Sequence, residues 1–363
     1  MSNYSEFIHP DYDEHEKKAV GEYLDSGGWL TEYEKTREFE RMIAKYVGAR
    51  YCSVVPSCTT ALSIAVMVLH ATGDVIVPDY TMIASANAVV LAGGRPVLVD
   101  VECPGQYKIE RATFCLALRS LKIVANKVTR AIILVSMNGR YPNRIEEILE
   151  YCRDHHINVI EDAAQSLGSR YKGKHVGTYG DIGCFSFSMF KTITTGQGGC
   201  LVTDNAEVYE KIKLLKNFGR TTDNSDLHST IGYNYHFTDV QAVVGIEQMK
   251  KLSHRVERKR EILKLYQEQL KNVYLPVTKE ETSLWLFDAL STDRDSLREY
   301  LTRCGIGTRG AYPGIHTQAP YIFQKGAYPG SCFAAKHMFY LPSGSYLTDE
   351  DVQHVCKVVN EYG

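Results

Sequence analysis

The sequence predicts an α/β protein, a mainly parallel sheet covered by helices and followed by a smaller α+β unit. Three observations carry that reading. Through the first two thirds of the 363 residues, short runs rich in β-branched side chains alternate with longer stretches of helical spacing, the order that builds a parallel sheet with crossover helices. Several of the short runs are nearly continuous apolar segments rather than alternating ones, as strands covered on both faces are. Near residue 240 the pattern changes to long helical segments and then to a mixture of strand and helix.

In chain order, strands are expected at Tyr51–Val55, Val75–Pro78, Pro96–Val101, Arg130–Val135, Asn158–Glu161, Gly183–Ser188 and Gly199–Thr203. Helices are expected between them at Arg37–Val47, Ala61–Leu69, Ile83–Leu91, Arg144–Cys152 and Ala206–Phe218. Asp239–Lys251 and Ser253–Leu270 read as two long helices, and the remainder supplies a strand (Trp285–Leu290) and two helices (Arg294–Arg303 and Thr348–Glu361). We therefore expect a large α/β domain over residues 1–247 and a small α+β domain over 248–363. No repeat of solenoid length and no Pro- or Ser-rich linker is visible.

Composition removes several function classes. Lys plus Arg number 41 against 43 Asp plus Glu, a formal charge of −2, so no basic field exists to gather a nucleic acid. Apolar runs such as S63-I-A-V-M-V-L are too short to span a bilayer, and the polar start is unlike a signal peptide, so a cytoplasmic protein without membrane contact is expected. Ten cysteines without a C-x-x-C pair suit reduced thiols better than a disulfide framework or a metal site, and no metal is expected.

The most informative stretch is N158-V-I-E-D-A-A-Q, followed by G180-D-I-G-C-F-S-F-S-M-F-K-T-I-T-T-G-Q-G-G-C. Asp162 falls just past an apolar strand, at the edge where open parallel sheets place ligand-binding groups. Lys191 stands between Phe190 and Ile193, and a lysine confined among apolar groups becomes a nucleophilic amine. Upstream, strand Tyr51–Val55 runs into P56-S-C-T-T-A-L, where Ser57 can cap a helix whose first amides, Thr59 and Thr60, would attract a phosphate. Singly, each has an ordinary structural reading: a turn cap, a surface lysine, a helix cap. Together they form the set that pyridoxal phosphate demands: an acid for the pyridine nitrogen, a lysine for covalent attachment, and amides for the phosphate.

With these blocks stand G28-W-L-T, T81-M-I-A-S-A-N-A-V, P96-V-L-V-D, G232-Y-N-Y, R309-G-A-Y-P-G-I-H and L341-P-S. In this order they resemble the DegT-type sugar aminotransferases, a family of fold-type-I pyridoxal phosphate enzymes, from about Gly28 to the C-terminus. The resemblance implies Lys191 as the attachment lysine, Asp162 as partner of the pyridine nitrogen, and Gln165 as a neighbour of the ring and its hydroxyl. It further implies that Ser186 and the amides of Thr59 and Thr60 hold the phosphate, with Asn234 reaching across from a second subunit of a homodimer. Tyr312 and His316 take sugar-contacting positions. The sequence departs from the family at Cys58, where Gly is usual, and at Tyr33, where the substrate loop usually has Gly. It departs again at Met82, where an aromatic ring usually stacks on the cofactor, which leaves a thioether contact or a role for Tyr80.

The reaction so implied is transamination in two half-reactions with ping-pong kinetics, L-glutamate giving nitrogen and a nucleotide-linked ketosugar accepting it. The K191-T-I-T-T-G wording is closest to perosamine synthases, which act on 4-keto-6-deoxyhexoses in amino-sugar and surface-polysaccharide biosynthesis. Related sugar dehydratases carry histidine in place of the lysine, and a regulatory protein that keeps the cofactor without catalysis is the other alternative.

Overall fold

The computed structural model describes residues 2–103, 112–221 and 226–362. Two helices come first, α1 (Glu14–Asp25) and α2 (Glu34–Val47). The alternating segment follows: β1 (Tyr51–Val55), α3 (Cys58–Val68), β2 (Asp74–Pro78), α4 (Ala84–Leu91), β3 (Arg95–Val99), α5 (Leu118–Val124), β4 (Thr129–Val135), α6 (Ile145–Asp154) and β5 (Asn158–Asp162). A small hairpin, β6 (Arg170–Tyr171) with β7 (Lys174–His175), precedes β8 (Ile182–Ser186), β9 (Gly199–Thr203) and α7 (Ala206–Lys216). Seven of these strands form one sheet in the order β1-β9-β8-β5-β4-β2-β3. The run from β8 to β3 is parallel, and β9 is antiparallel to both of its neighbours.

The apolar strands are explained by β4. Ala131, Ile133 and Val135 face the core under α3 and α4, while Ile132 and Leu134 face the core under α5 and α6. All five are buried, and each larger side chain contributes about 1.5–3 kcal/mol by leaving water. Both faces are therefore apolar, and alternation disappears.

The two long helices expected after residue 239 are one helix, α8 (Asp239–Gln269), of 31 residues. Ser253 and His254, at the expected break, lie on its exposed side, and neither residue costs a helix enough to end it. Its first half (Ala242, Ile246, Met249, Leu252) packs with Phe39 and Ile43 of α2, and its second half (Ile262, Tyr266) joins the core of the C-terminal unit. A division at residue 247 thus falls inside a helix that both cores share. The C-terminal unit comprises β10 (Phe287–Leu290), α9 (Arg294–Arg303), β11 (Arg309–Gly310), α10 (Pro329–His337), β12 (Met338–Leu341) and α11 (Asp349–Glu361), with an antiparallel sheet in the order β10-β12-β11. The N-terminal segment lies on this unit, with Ile8 against Trp285, Leu286 and Tyr340.

The two units are joined behind the sheet's carboxyl edge by the loop after β4. Arg140 is bidentate to Asp288, both bonds 2.7 Å and both side chains buried. Beside it, Asn138 donates its N–H to Gln165 Oε1 (2.8 Å), and its own Oδ1 accepts from the Leu286 N–H (3.0 Å). Among the described residues no helix is long and apolar enough to cross a membrane.

Candidate active site

β5 and β8 deliver Asp162 and Ser186 to the carboxyl edge of the sheet, where α3 begins its run after β1. Asp162 is 6% exposed; Ser85 Oγ donates to it at 2.7 Å and the Ala164 N–H at 3.2 Å. Hydroxyl and amide donors hold it, not a cation. Burial pushes its pKa up, and those two bonds and the charge of Lys191 oppose the rise.

Lys191 follows a short turn after β8, its N–H donating to Ser188 O at 3.0 Å. Its Nζ lies 3.4 Å from the centre of the Trp285 ring. Desolvation brings its pKa down to about 8, with the negative charge of Asp162 opposing. A neutral, nucleophilic fraction, far larger than that of a solvated lysine, therefore exists near neutral pH.

Ser57 is the N-cap of α3, its Oγ accepting from the Thr60 N–H at 3.1 Å. That bond alters the expected phosphate cradle: the Thr60 amide is engaged, and the amides left without intrahelical partners are those of Cys58 and Thr59. A Cβ on Gly199 would stand 2.4 Å from the Cys58 nitrogen, so glycine is what lets β9 pass against the helix start.

These groups enclose a cavity of about 360 Å³. Thr59, Met82, Asp162, Gln165, Ser186, Lys191 and Tyr312 line it, as does Cys58. Three other expected residues stand elsewhere. Thr60 is not in the wall. His316 is held away by Asp79, which accepts its backbone N–H and pairs with its Nδ1, both at 2.7 Å. Asn234 is exposed, bridged to Asn217 through the backbone, and outside the cavity of its own chain. Met82 presents a thioether whose Sδ accepts from the Ala84 N–H (3.1 Å). Tyr80 does not replace it, since it is fully buried with its hydroxyl on Met338 Sδ.

The C-terminal unit adds two wall residues that the sequence did not single out, Trp285 and Arg309. The Arg309 guanidinium lies 5.6 Å from the Tyr312 ring centre and 5.7 Å from that of Phe7, placing a cation in the cavity wall. Arg309 heads the R309-G-A-Y block, which was its one visible signal; Trp285 had none beyond its rarity. A larger groove of about 760 Å³ runs beside β3 between Leu91 and Phe323 and meets none of these groups.

The site fits pyridoxal phosphate. A buried carboxylate held by neutral donors, a lysine of lowered pKa, and a helix start with free amides beside Ser186 face one cavity, which defines the class of enzyme that fixes this cofactor on a parallel sheet. The pattern of the DegT/DnrJ/EryC1/StrS aminotransferase family matches residues 10–360. The chain belongs to that family and is a pyridoxal phosphate-dependent sugar aminotransferase. It is similar to the GDP-perosamine synthase of Escherichia coli O157:H7, 33% identical over 96% of this chain and 95% of the relative. The GDP-perosamine synthase of Vibrio cholerae is 31% identical, with 97% of each chain covered. Among solved structures, Helicobacter pylori PseC, an aminotransferase in pseudoaminic acid biosynthesis, superposes with a TM-score of 0.89 at 25% identity over 98% of both chains.

Proposed function

We propose that this enzyme transfers the amino group of L-glutamate to a GDP-linked 4-keto-6-deoxyhexose by a ping-pong mechanism, for amino-sugar and surface-polysaccharide synthesis in the cytoplasm. The observation that supports it most is similarity to GDP-perosamine synthases along nearly the full length of both chains, with a lysine at position 191.

When bound, the cofactor supplies an electron sink that makes a substrate carbon acidic. The remaining work is assigned to the chain. Lys191 Nζ holds the cofactor covalently and, once released, moves the proton at the amine-bearing carbon. Asp162 keeps the pyridine nitrogen protonated, and Gln165, its Oε1 already accepting from Asn138, turns its NH2 donors toward the ring hydroxyl. The Cys58 and Thr59 amides and Ser186 Oγ receive the phosphate. Tyr312 and Arg309 orient the substrates, Arg309 matching their oxyanions.

The working unit we propose is a homodimer in which Asn234 completes the partner's phosphate site, consistent with its exposure in its own chain. Mixed dimers of inactive Lys191→Ala and Asn234→Asp chains should then regain activity, because one of the two sites collects neither lesion.

Incubation with GDP-4-keto-6-deoxymannose and nitrogen-labelled glutamate tests the reaction. The expected product has the keto oxygen replaced by a labelled amine. A product that keeps its keto group, has lost one hydroxyl oxygen and carries no label would make the enzyme a dehydratase instead.

A further inference from the structure

Lys259, on α8, is 3% exposed and takes no part in the chemistry assigned above. Its Nζ donates to two backbone carbonyls, Trp285 O at 2.6 Å and Ser343 O at 2.9 Å. These carbonyls flank the small sheet, one just before β10 and the other just after β12. A buried ammonium that meets carbonyl dipoles rather than a carboxylate is costly, and burial lowers the pKa of Lys259 to about 7. An apolar side chain of the same length would pack without that cost, so the two bonds need a use.

Trp285 indicates one. Its indole Nε1 donates to Phe190 O at 2.6 Å, the carbonyl of the residue before Lys191, and its ring face carries the Lys191 amine. The indole is 5% exposed and sits between the lysine and the C-terminal core. One contact chain thus runs from Lys259 through the Trp285 backbone to its ring, and from the ring to both the peptide and the amine of Lys191.

We propose that Lys259 is a positioning residue for the active-site lysine: by tying Trp285 O to Ser343 O it fixes the indole on which the Lys191 amine rests. This rests on the assignment of Lys191 as the attachment lysine. In the folded enzyme the amine then has one resting place when it is not bound to cofactor, from which it returns to the reacting carbon. Without Lys259 the indole loses its backbone anchor, and the amine is presented from a spread of positions.

The test compares Lys259→Met, which keeps length and burial, with Tyr266→Phe, which removes a neighbouring bond of the same core, Tyr266 Oη to Pro342 O at 3.0 Å, without touching Trp285. Both are made in a Trp29→Phe background, because the chain has two tryptophans and Trp285 then reports alone. Lys259→Met holoenzyme should show at least a tenfold slower single-turnover reaction with glutamate at a KM changed less than threefold, together with a shifted Trp285 emission. Lys259→Gln, which keeps an uncharged NH2 donor group, should recover part of the rate. Tyr266→Phe should match the background in rate and emission whatever it does to the melting temperature.

Equal losses in Lys259→Met and Tyr266→Phe, or an unchanged rate and emission in Lys259→Met, would overturn the proposal. Borohydride reduction of the background enzyme separates the two assignments. A pyridoxyl label on Lys191 with an unaffected Lys259→Met means that positioning alone has failed, whereas a label elsewhere removes the Lys191 reading itself.

Discussion

Replacing Asp162 by Asn takes one charge out of a buried position while keeping its volume, so the structure separates the effect on folding from the effect on catalysis. The carboxylate now accepts from Ser85 Oγ at 2.7 Å and the Ala164 N–H at 3.2 Å. The amide oxygen can keep the Ala164 bond, and the Ser85 hydroxyl can rotate to accept from the new NH2. The fold then loses about 1 kcal/mol at most, the net worth of one hydrogen bond. The loss toward the cofactor is larger, because removing one partner of a buried charge pair costs about 3–5 kcal/mol. At about 1.4 kcal/mol per tenfold in rate, that is two to four orders of magnitude in the glutamate half-reaction. Stopped-flow absorbance of the cofactor band with saturating glutamate reads the rate, and a thermal melt reads the fold. A rate within tenfold of the parent in a normally melting variant would refute the role of Asp162.

Two further outcomes follow from the same geometry. With the Lys191 pKa at about 8, the rate at which cofactor-free enzyme captures pyridoxal phosphate should rise with pH through about 8 and level off above it, because only the neutral amine attacks. Asp162→Asn removes a charge that raises this pKa and should move the midpoint lower; a midpoint near the ordinary lysine value of 10.5 would contradict the desolvated setting. At the joint between the units, Asp288→Ala strands the buried Arg140 guanidinium and should cost about 3–5 kcal/mol in urea unfolding, whereas the double change Arg140→Leu with Asp288→Leu should cost much less. Equal losses would show that the pair is not the coupling contact.

What the sequence revealed divides along physical lines. The strands of the large sheet were legible because both faces are covered, so burial prints an uninterrupted apolar run, as in Ala131–Val135. Asp162 and Lys191 were legible because each interrupts such a setting with a charge. α1 was not foreseen, since among its residues only Glu16 is buried and an apolar stripe is missing, although Asp13 and Glu16 form a capping box. β11 and β12 are two and four residues long, too short to show a period, and they exist through pairing: β12 is the central strand, between β10 and β11. The break expected between Lys251 and Ser253 is absent because Leu252 is buried in the core while Ser253 and His254 lie on the solvent side of α8. In the site, Thr60 and His316 stand outside the cavity because each has a polar partner: the Ser57 cap, local in sequence, takes the Thr60 N–H, and Asp79, far away in sequence, holds His316. Trp285 and Arg309 enter the cavity from a separate unit, and only tertiary structure brings them there.

The cavity's walls have a consequence for how the protein is born. Lys191 and Asp162 leave the ribosome well before Trp285, Arg309 and Tyr312, by an interval on the order of ten seconds at common elongation rates. Until the last wall arrives, the lysine has water where the indole will be and keeps the strongly basic amine of any solvated lysine. The nascent chain therefore carries both residues before the C-terminal unit has packed beside them, and the desolvation that lowers the Lys191 pKa belongs to the completed fold.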